Sequence, residues 1–291
     1  MVISGQIFSS GIVSVIQAYI DGEDSPTREG TARYACELLR WYDMCGNPKM
    51  ASAKKAMLVL HKQGKLRLPQ PTSNRQPLSN SNVQVDFNLP VVNADLRSHP
   101  HLSLDIVTSK KDRELWLHLI RSYHYLGESR IIGPQIKYLI RSGGVVLGAI
   151  SFSSSAWSVK ARDEWIGWNS AERQRGLRYI LSNSRFLILP TVHIPNLASK
   201  VLSLAVKRIS NDWCNTYGIK PLLLETFVDQ RFEGTCYRSA NWITLGMTTG
   251  RGRNDQLLGP SSSKRLFLYP LTKKLDTLKE KARKLPVLSN E

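Results

Sequence analysis

The chain has 291 residues, enough to bury a sizeable core and to leave room for two domains. Its hydrophobic content is 42% and its formal net charge is +17, which suits a soluble globular protein with a polyanionic partner, nucleic acid first. Cys36, Cys45, Cys214 and Cys236 form no C-x-x-C pair, and no His spacing completes a zinc site. They read as thiols of a cytosolic protein. No basic leader and no run of about 20 apolar residues marks a signal peptide or a membrane span.

Residues 3–20 carry a short amphipathic pattern and predict one helix. Ser25 or Thr27 caps a second helix from about Arg28 to Tyr42, and Asp43 to Lys49 is turn chemistry. A third helix spans Met50 to Gln63, Gly64 stops it, and KLRLP leaves as an extended segment. This order is the outline of a winged helix-turn-helix over residues 1–70. Ser52, Lys54 and Lys55 then face the groove, while Lys62, Lys65 and Arg67 lie near phosphates. The same outline also suits a small helical domain that docks a protein. Residues 71–100 are rich in Pro, Ser and Asn and read as a linker, with a short strand at Val83–Phe87.

The second domain covers residues 101–272. Leu102 to Thr108 suits a first strand and Asp112 to Leu126 a helix. Two strands, Gln135 to Arg141 and Val145 to Phe152, meet at a Ser-Gly-Gly hairpin signal. Asn169 or Ser170 caps a helix. Phe186 to Pro190 is a buried strand, Leu197 to Trp213 a long amphipathic helix, and Pro221 to Val228 a further strand. Strand, crossover helix and parallel strand make one right-handed unit, whose helix N-terminus attracts anions. Arg251 and Arg253 lie in a GRGR loop suited to phosphate contact, or in an ordinary solvated turn. Arg265 to Tyr269 closes the sheet. Residues 273–291 form a basic helix or tail, where positive charge is densest. The fold class expected is α/β (α+β): a winged-helix-like domain, then a mixed sheet flanked by helices.

The strand order β-α-β-β-β-α-β-α-β-β resembles the GCN5-related N-acetyltransferase fold. That resemblance places a proline at Pro190, followed by a pyrophosphate loop written Q/R-x-x-G-x-G/A. Here the loop reads His193-Ile194-Pro195-Asn196-Leu197-Ala198, and only Ala198 satisfies the pattern. Tyr237 holds the position of a tyrosine that such enzymes use, and Asn241-Trp242 replaces the following Gly-Phe. A longer resemblance runs along nearly the whole chain. The segments ARDEWIGW, NSRFLILP, NLASKVLSL, LLLETFVD and GTCYRSANWITLG are similar to the DruA family of Druantia systems. That resemblance implies bacterial, cytoplasmic antiviral defence alongside a helicase-type partner, and brings no established reaction with it.

Four functions follow from these residues. In the first, the chain binds DNA without a cofactor: Asn196, Ser199 and Lys200 hold a backbone phosphate with Arg251 and Arg253 nearby, and His193 is a phosphate donor or a plain helix-entry residue. In the second, an acyltransferase uses acetyl-coenzyme A, with Glu225 as general base and Tyr237 as general acid. In the third, Asp163, Glu225 and Asp229 converge on Mg²⁺ for DNA cleavage or strand transfer. Against this, Asp163 pairs with Arg162 or Arg185 and Glu225 is a buried partner of a cation. In the fourth, the chain is an assembly scaffold for the helicase. Trp165, Trp168, Trp213 and Trp242 either stack on unpaired bases or fill the core.

Overall fold

In a computed structural model the described residues are 1–43, 46–70, 87–99, 101–127, 131, 133–248, 263–272 and 276–284. They divide into two compact units, one within residues 1–82 and one within residues 83–289.

The first unit opens on a tight hairpin, not on helix. β1 (Val2–Ile3) pairs with β2 (Gln6–Ile7). The turn needs positive φ at both central residues, and Ser4 and Gly5 supply 51° and 86°. α1 (Ser10–Gly22) follows, its first turn capped by Ser9 Oγ, which accepts the Ile12 N–H. α2 (Arg28–Leu38) is capped in the same way by Thr27, which accepts from Gly30 at 2.9 Å. It ends sooner than the amphipathic pattern suggests, because Arg40 takes a left-handed φ of 45°. α3 (Met50–Lys62) stops before Gly64, whose φ is 69°. Ala32, Ala35, Ala53 and Ala56 are buried without exposure, so α2 and α3 approach closely around Met57, Leu60 and Trp41. A winged helix needs a hairpin after its recognition helix. The described residues that follow α3, up to residue 70, form one extended strap, and residues 71–86 lie outside the described residues. Leu66 is buried, the Arg67 N–H donates to Gln17 Oε1 at 2.7 Å, and Arg28 Nε donates to the Pro69 carbonyl at 2.8 Å.

The second unit is built on a seven-stranded mixed sheet. Its strands are β4 (Leu102–Ile106), β5 (Gln135–Ser142), β6 (Val145–Ser154), β7 (Ile180–Ile188), β9 (Leu223–Asp229), β10 (Ile243–Met247) and β11 (Lys264–Pro270). Their spatial order is β10-β11-β9-β7-β6-β5-β4. All neighbours are antiparallel except β7 and β9, the parallel pair expected around the crossover helix. A separate two-residue pairing joins β3 (Val92–Asn93) to β8 (Val192–His193). The end of the supposed linker is thus part of the fold; Val83–Asp86 of its expected strand lie outside the described residues. β7 begins six residues before the expected strand, because Ser182, Asn183 and Ser184 hide it in a hydropathy pattern.

The helices of this unit are α4 (Lys110–Tyr123), α5 (Lys160–Ile166), α6 (Ser170–Gly176), α7 (Leu197–Tyr217), α8 (Thr235–Ser239) and α9 (Asp276–Lys284). The expected strand and helix order is present, with α5 and α6 between β6 and β7. Asn169 and Glu172 form a reciprocal capping box on α6. α7 ends at Gly218, whose φ of 69° suits glycine. α9 is not a solvated tail: Leu278 is fully buried among Trp168, Leu266 and Leu268, and Arg283 Nε donates to Glu172 Oε1 at 2.7 Å.

One feature of the sheet shapes the site. β7 and β9 pair over only three positions, Ile180↔Leu223 to Ser182↔Glu225. Beyond them β7 stays with β6 and β9 stays with β11, so the parallel strands diverge.

Candidate functional site

At the last paired position of β9 sits Glu225, without any exposure, bound to Arg162, also without exposure. Arg162 Nη1 donates to Glu225 Oε2 at 2.8 Å and to the Ala156 carbonyl at 2.9 Å. The other Glu225 oxygen accepts the Ala156 N–H at 2.9 Å. Arg162 Nε and Nη2 both donate to Asp163 Oδ1, at 2.9 and 2.8 Å. Trp168 Nε1 donates to the same oxygen at 3.0 Å, and the Val159 N–H to Asp163 Oδ2 at 3.2 Å. Burial pushes the Glu225 pKa up, and Arg162 and the Ala156 N–H pull it back.

The three carboxylates do not converge. Asp163 and Glu225 meet on Arg162, as the alternative reading of salt bridges expects. Asp229 does share a strand face with Glu225, but at about 3.3 Å per residue it lies about 13 Å further along β9. Its Oδ1 accepts from Arg231 Nε at 2.8 Å, and this bond holds its pKa below the usual carboxylate range. The two ions of a shared metal pair sit about 4 Å apart, too close together for carboxylates about 13 Å apart along one strand to hold both. Among the described residues no group of three or more His, Cys, Asp or Glu has the geometry to hold a metal.

Where the strands part, the gap is filled by neutral polar groups. Tyr237 on α8 donates its hydroxyl proton to Asn183 Oδ1 at 2.7 Å. Thr226 Oγ1 donates to the Asn183 carbonyl at 3.1 Å, and Asn183 Nδ2 to the Ser151 carbonyl at 2.9 Å. Phe267 stacks on the Tyr237 ring, with centroids 5.4 Å apart. Burial drives the Tyr237 pKa upward. His124, at the end of α4, is kept neutral by burial and by the Arg185 charge, which lower its pKa to about 4. Its Nδ1 accepts the Leu126 N–H at 3.2 Å, so the ring proton belongs on Nε2.

The loop before α7 runs into a helix N-terminus through an unusual backbone position. Asn196 takes a left-handed φ of 62°, a conformation that glycine adopts without steric cost. α7 starts without a side-chain cap. His193, Asn196 and Lys200 are exposed and Ser199 is half-buried, its hydroxyl donating to the Asn196 carbonyl at 3.0 Å. Ile194 and Leu197 are buried and anchor the loop. Acetyl-coenzyme A would meet a helix N-terminus here but an asparagine side chain in place of glycine. The Tyr237 proton is already engaged. In the first unit Lys54, Lys55, Lys62, Lys65 and Arg67 are exposed. Lys54 pairs with Glu29 at 3.1 Å and Arg67 with Asp21 at 3.5 Å, both solvent-screened. Arg251 and Arg253 lie outside the described residues.

Trp213 and Trp242 fill the core, and Trp168 is buried on Asp163. Trp165 packs half-buried against the cluster around Ile166 and Leu222. The exposed indole is Trp157, which no longer motif flags, at 55% exposure with the Arg173 guanidinium 5.8 Å from its ring centroid. Cys36 is buried, Cys214 and Cys236 are partly exposed, and Cys45 lies outside the described residues.

No helix among the described residues is long and apolar enough to cross a membrane. Among solved structures, the chain is similar to a chimera of spermidine N-acetyltransferase SpeG from Vibrio cholerae and hSSAT. The TM-score is 0.40 at 9% identity, over 59% of this chain and 96% of that one. It is also similar to FeeM, an N-acyl amino acid synthase from uncultured soil microbes, with TM-score 0.39 and 12% identity over 60% and 94%. The ribosomal-protein-S18-alanine N-acetyltransferase from Escherichia coli gives TM-score 0.39 and 7% identity over 60% and 96%. Among curated proteins none matches the chain in sequence. The family described as Druantia protein DruA matches residues 72–275, most of the chain and the whole of the sheet with its buried Arg162 cluster, and the chain therefore belongs to the DruA family.

Proposed function

We propose that the chain is the nucleic-acid-binding component of a bacterial anti-phage system of the Druantia type. In this reading it works in the cytoplasm, holding forks or single strands of phage DNA beside a helicase-type partner. The observation that carries it is the net charge of +17. Exposed cations on α3, with His193 and Lys200 at the entry to α7, support it. Each phosphate neutralised releases condensed counterions, so affinity should fall steeply with salt. Fluorescence anisotropy with labelled duplex, fork and single strand, titrated from low to physiological salt, tests this. Tight binding at low salt that weakens steeply supports the reading; no binding at low salt ends it.

A second reading, acyl transfer, is favoured by one observation, the glycine-like backbone of Asn196. Glu225 would need to leave Arg162 to act as a base, and Tyr237 would need to leave Asn183 to act as an acid. Calorimetry with acetyl-coenzyme A decides it: no heat at high ligand concentration removes the reading. Cleavage with Mg²⁺ has less support, since the oxygens of Asp163 and Glu225 already accept hydrogen bonds from Arg162 and the backbone.

A further inference from the structure

The buried charges have a surface consequence. Ala156 is gripped on both sides of its peptide: its N–H donates to Glu225 and its carbonyl accepts from Arg162. Ser155, one residue earlier, donates its hydroxyl to the Leu177 carbonyl at 3.3 Å. Val159, three residues later, is tied through its N–H to Asp163 and is buried. Trp157 and Ser158 are therefore the exposed crest of a loop fixed at both feet. The backbone under the Trp157 indole is thus held while the residue stays 55% exposed.

The surroundings select the ligand. The Arg173 guanidinium lies 5.8 Å from the Trp157 ring centroid and 3.6 Å from Asp163 Oδ2, so the same carboxylate that ties down the loop also positions the cation. The Nε of Arg173 is buried without a hydrogen-bond partner among the described residues. Lys160, on the first turn of α5 and three residues after Trp157, is a second exposed cation and pairs with exposed Glu164 at 3.8 Å. A largely exposed aromatic ring with a guanidinium over it fits a planar base carrying a phosphate, which is one nucleotide of an unpaired strand. Stacked bases within a duplex do not present that face.

We infer that Trp157, with Arg173 and Lys160, forms a stacking site for one unpaired nucleobase and its phosphate, held in place by the buried Arg162–Glu225 pair. This rests on the nucleic-acid reading, and the test separates the two. Anisotropy is measured at low salt with the full chain on two labelled oligonucleotides of equal length, one with normal bases and one abasic. Base stacking is worth about tenfold or more in affinity per base. Trp157→Ala should weaken binding to the normal strand about tenfold and leave the abasic strand unchanged, while Trp157→Phe recovers most of the loss. Trp157 is exposed, so neither variant removes a core contact. If the wild type binds the normal strand and Trp157→Ala binds it equally well, the stacking site is overturned and the nucleic-acid reading stands. If the wild type binds neither strand, both fall.

Discussion

Glu225 and Thr226 are neighbours on β9 whose side chains point to opposite faces of the sheet, and the two faces treat polarity differently. On one face Glu225 meets Arg162 and Asp163, with full charges paired out of water. On the other Thr226 meets Asn183 and Tyr237 in a network without charge. The charged face ends at a surface loop that carries an exposed tryptophan. The neutral face closes the gap where β7 and β9 part. Buried charge costs several kcal/mol to desolvate and is retained where it specifies a geometry. A neutral network satisfies diverging strands at lower cost. The charged cluster is thus a clamp and the neutral one a filler.

The clamp should be the more sensitive of the two. Arg162→Met leaves Glu225 buried and unpaired and should cost about 3–5 kcal/mol, lowering the melting temperature of the second unit by on the order of 10 °C. A loss below about 1 kcal/mol in thermal or urea unfolding would make the cluster dispensable. Gly176→Ala strikes the same cluster through packing. A Cβ there would lie 2.3 Å from Trp168 Cζ3, and a rigid indole cannot yield without loosening its bond to Asp163. Overpacking of this kind costs about 2 kcal/mol, read as a lower urea midpoint.

On the neutral face, Tyr237→Phe leaves Asn183 Oδ1 without its donor and should cost about 1–2 kcal/mol, less than the Arg162 change. An equal or larger loss would invert the comparison. The effect confined to acid concerns His124. Its folded pKa of about 4 lies below the ordinary 6.5, so the folded state binds fewer protons than the unfolded one. Its contribution is fully present above about pH 6.5 and is lost as pH falls towards 4. Thermal melts across that window should fall less steeply for His124→Phe than for the wild type.

Most of this architecture is legible in the residues, and the exceptions share a cause. The crossover helix α7, with its glycine stop, and the parallel strand after it follow from apolar periodicity. The start of β7 does not, because Ser182 and Asn183 are buried polar residues that serve the gap between strands. α5 is seven residues long and carries one fully buried charge, Arg162, which is tolerated there because it pairs with Asp163 beside it and with Glu225. No local pattern signals a partner 63 residues away. Asp163 and Glu225 stand out as unusual carboxylates, yet their meeting on one arginine is a tertiary fact. Trp157 sits between serines and an alanine, and its exposure depends on the same distant pair.

The most direct test is a double-mutant cycle on Arg162 and Glu225. Arg162→Met, Glu225→Met and the double variant are unfolded in urea, and their losses are compared. If the pair is one clamp, each single change costs several kcal/mol and the double change costs clearly less than their sum, a coupling of about 2 kcal/mol or more. Losses that add within about 0.5 kcal/mol would show two independent residues and contradict it.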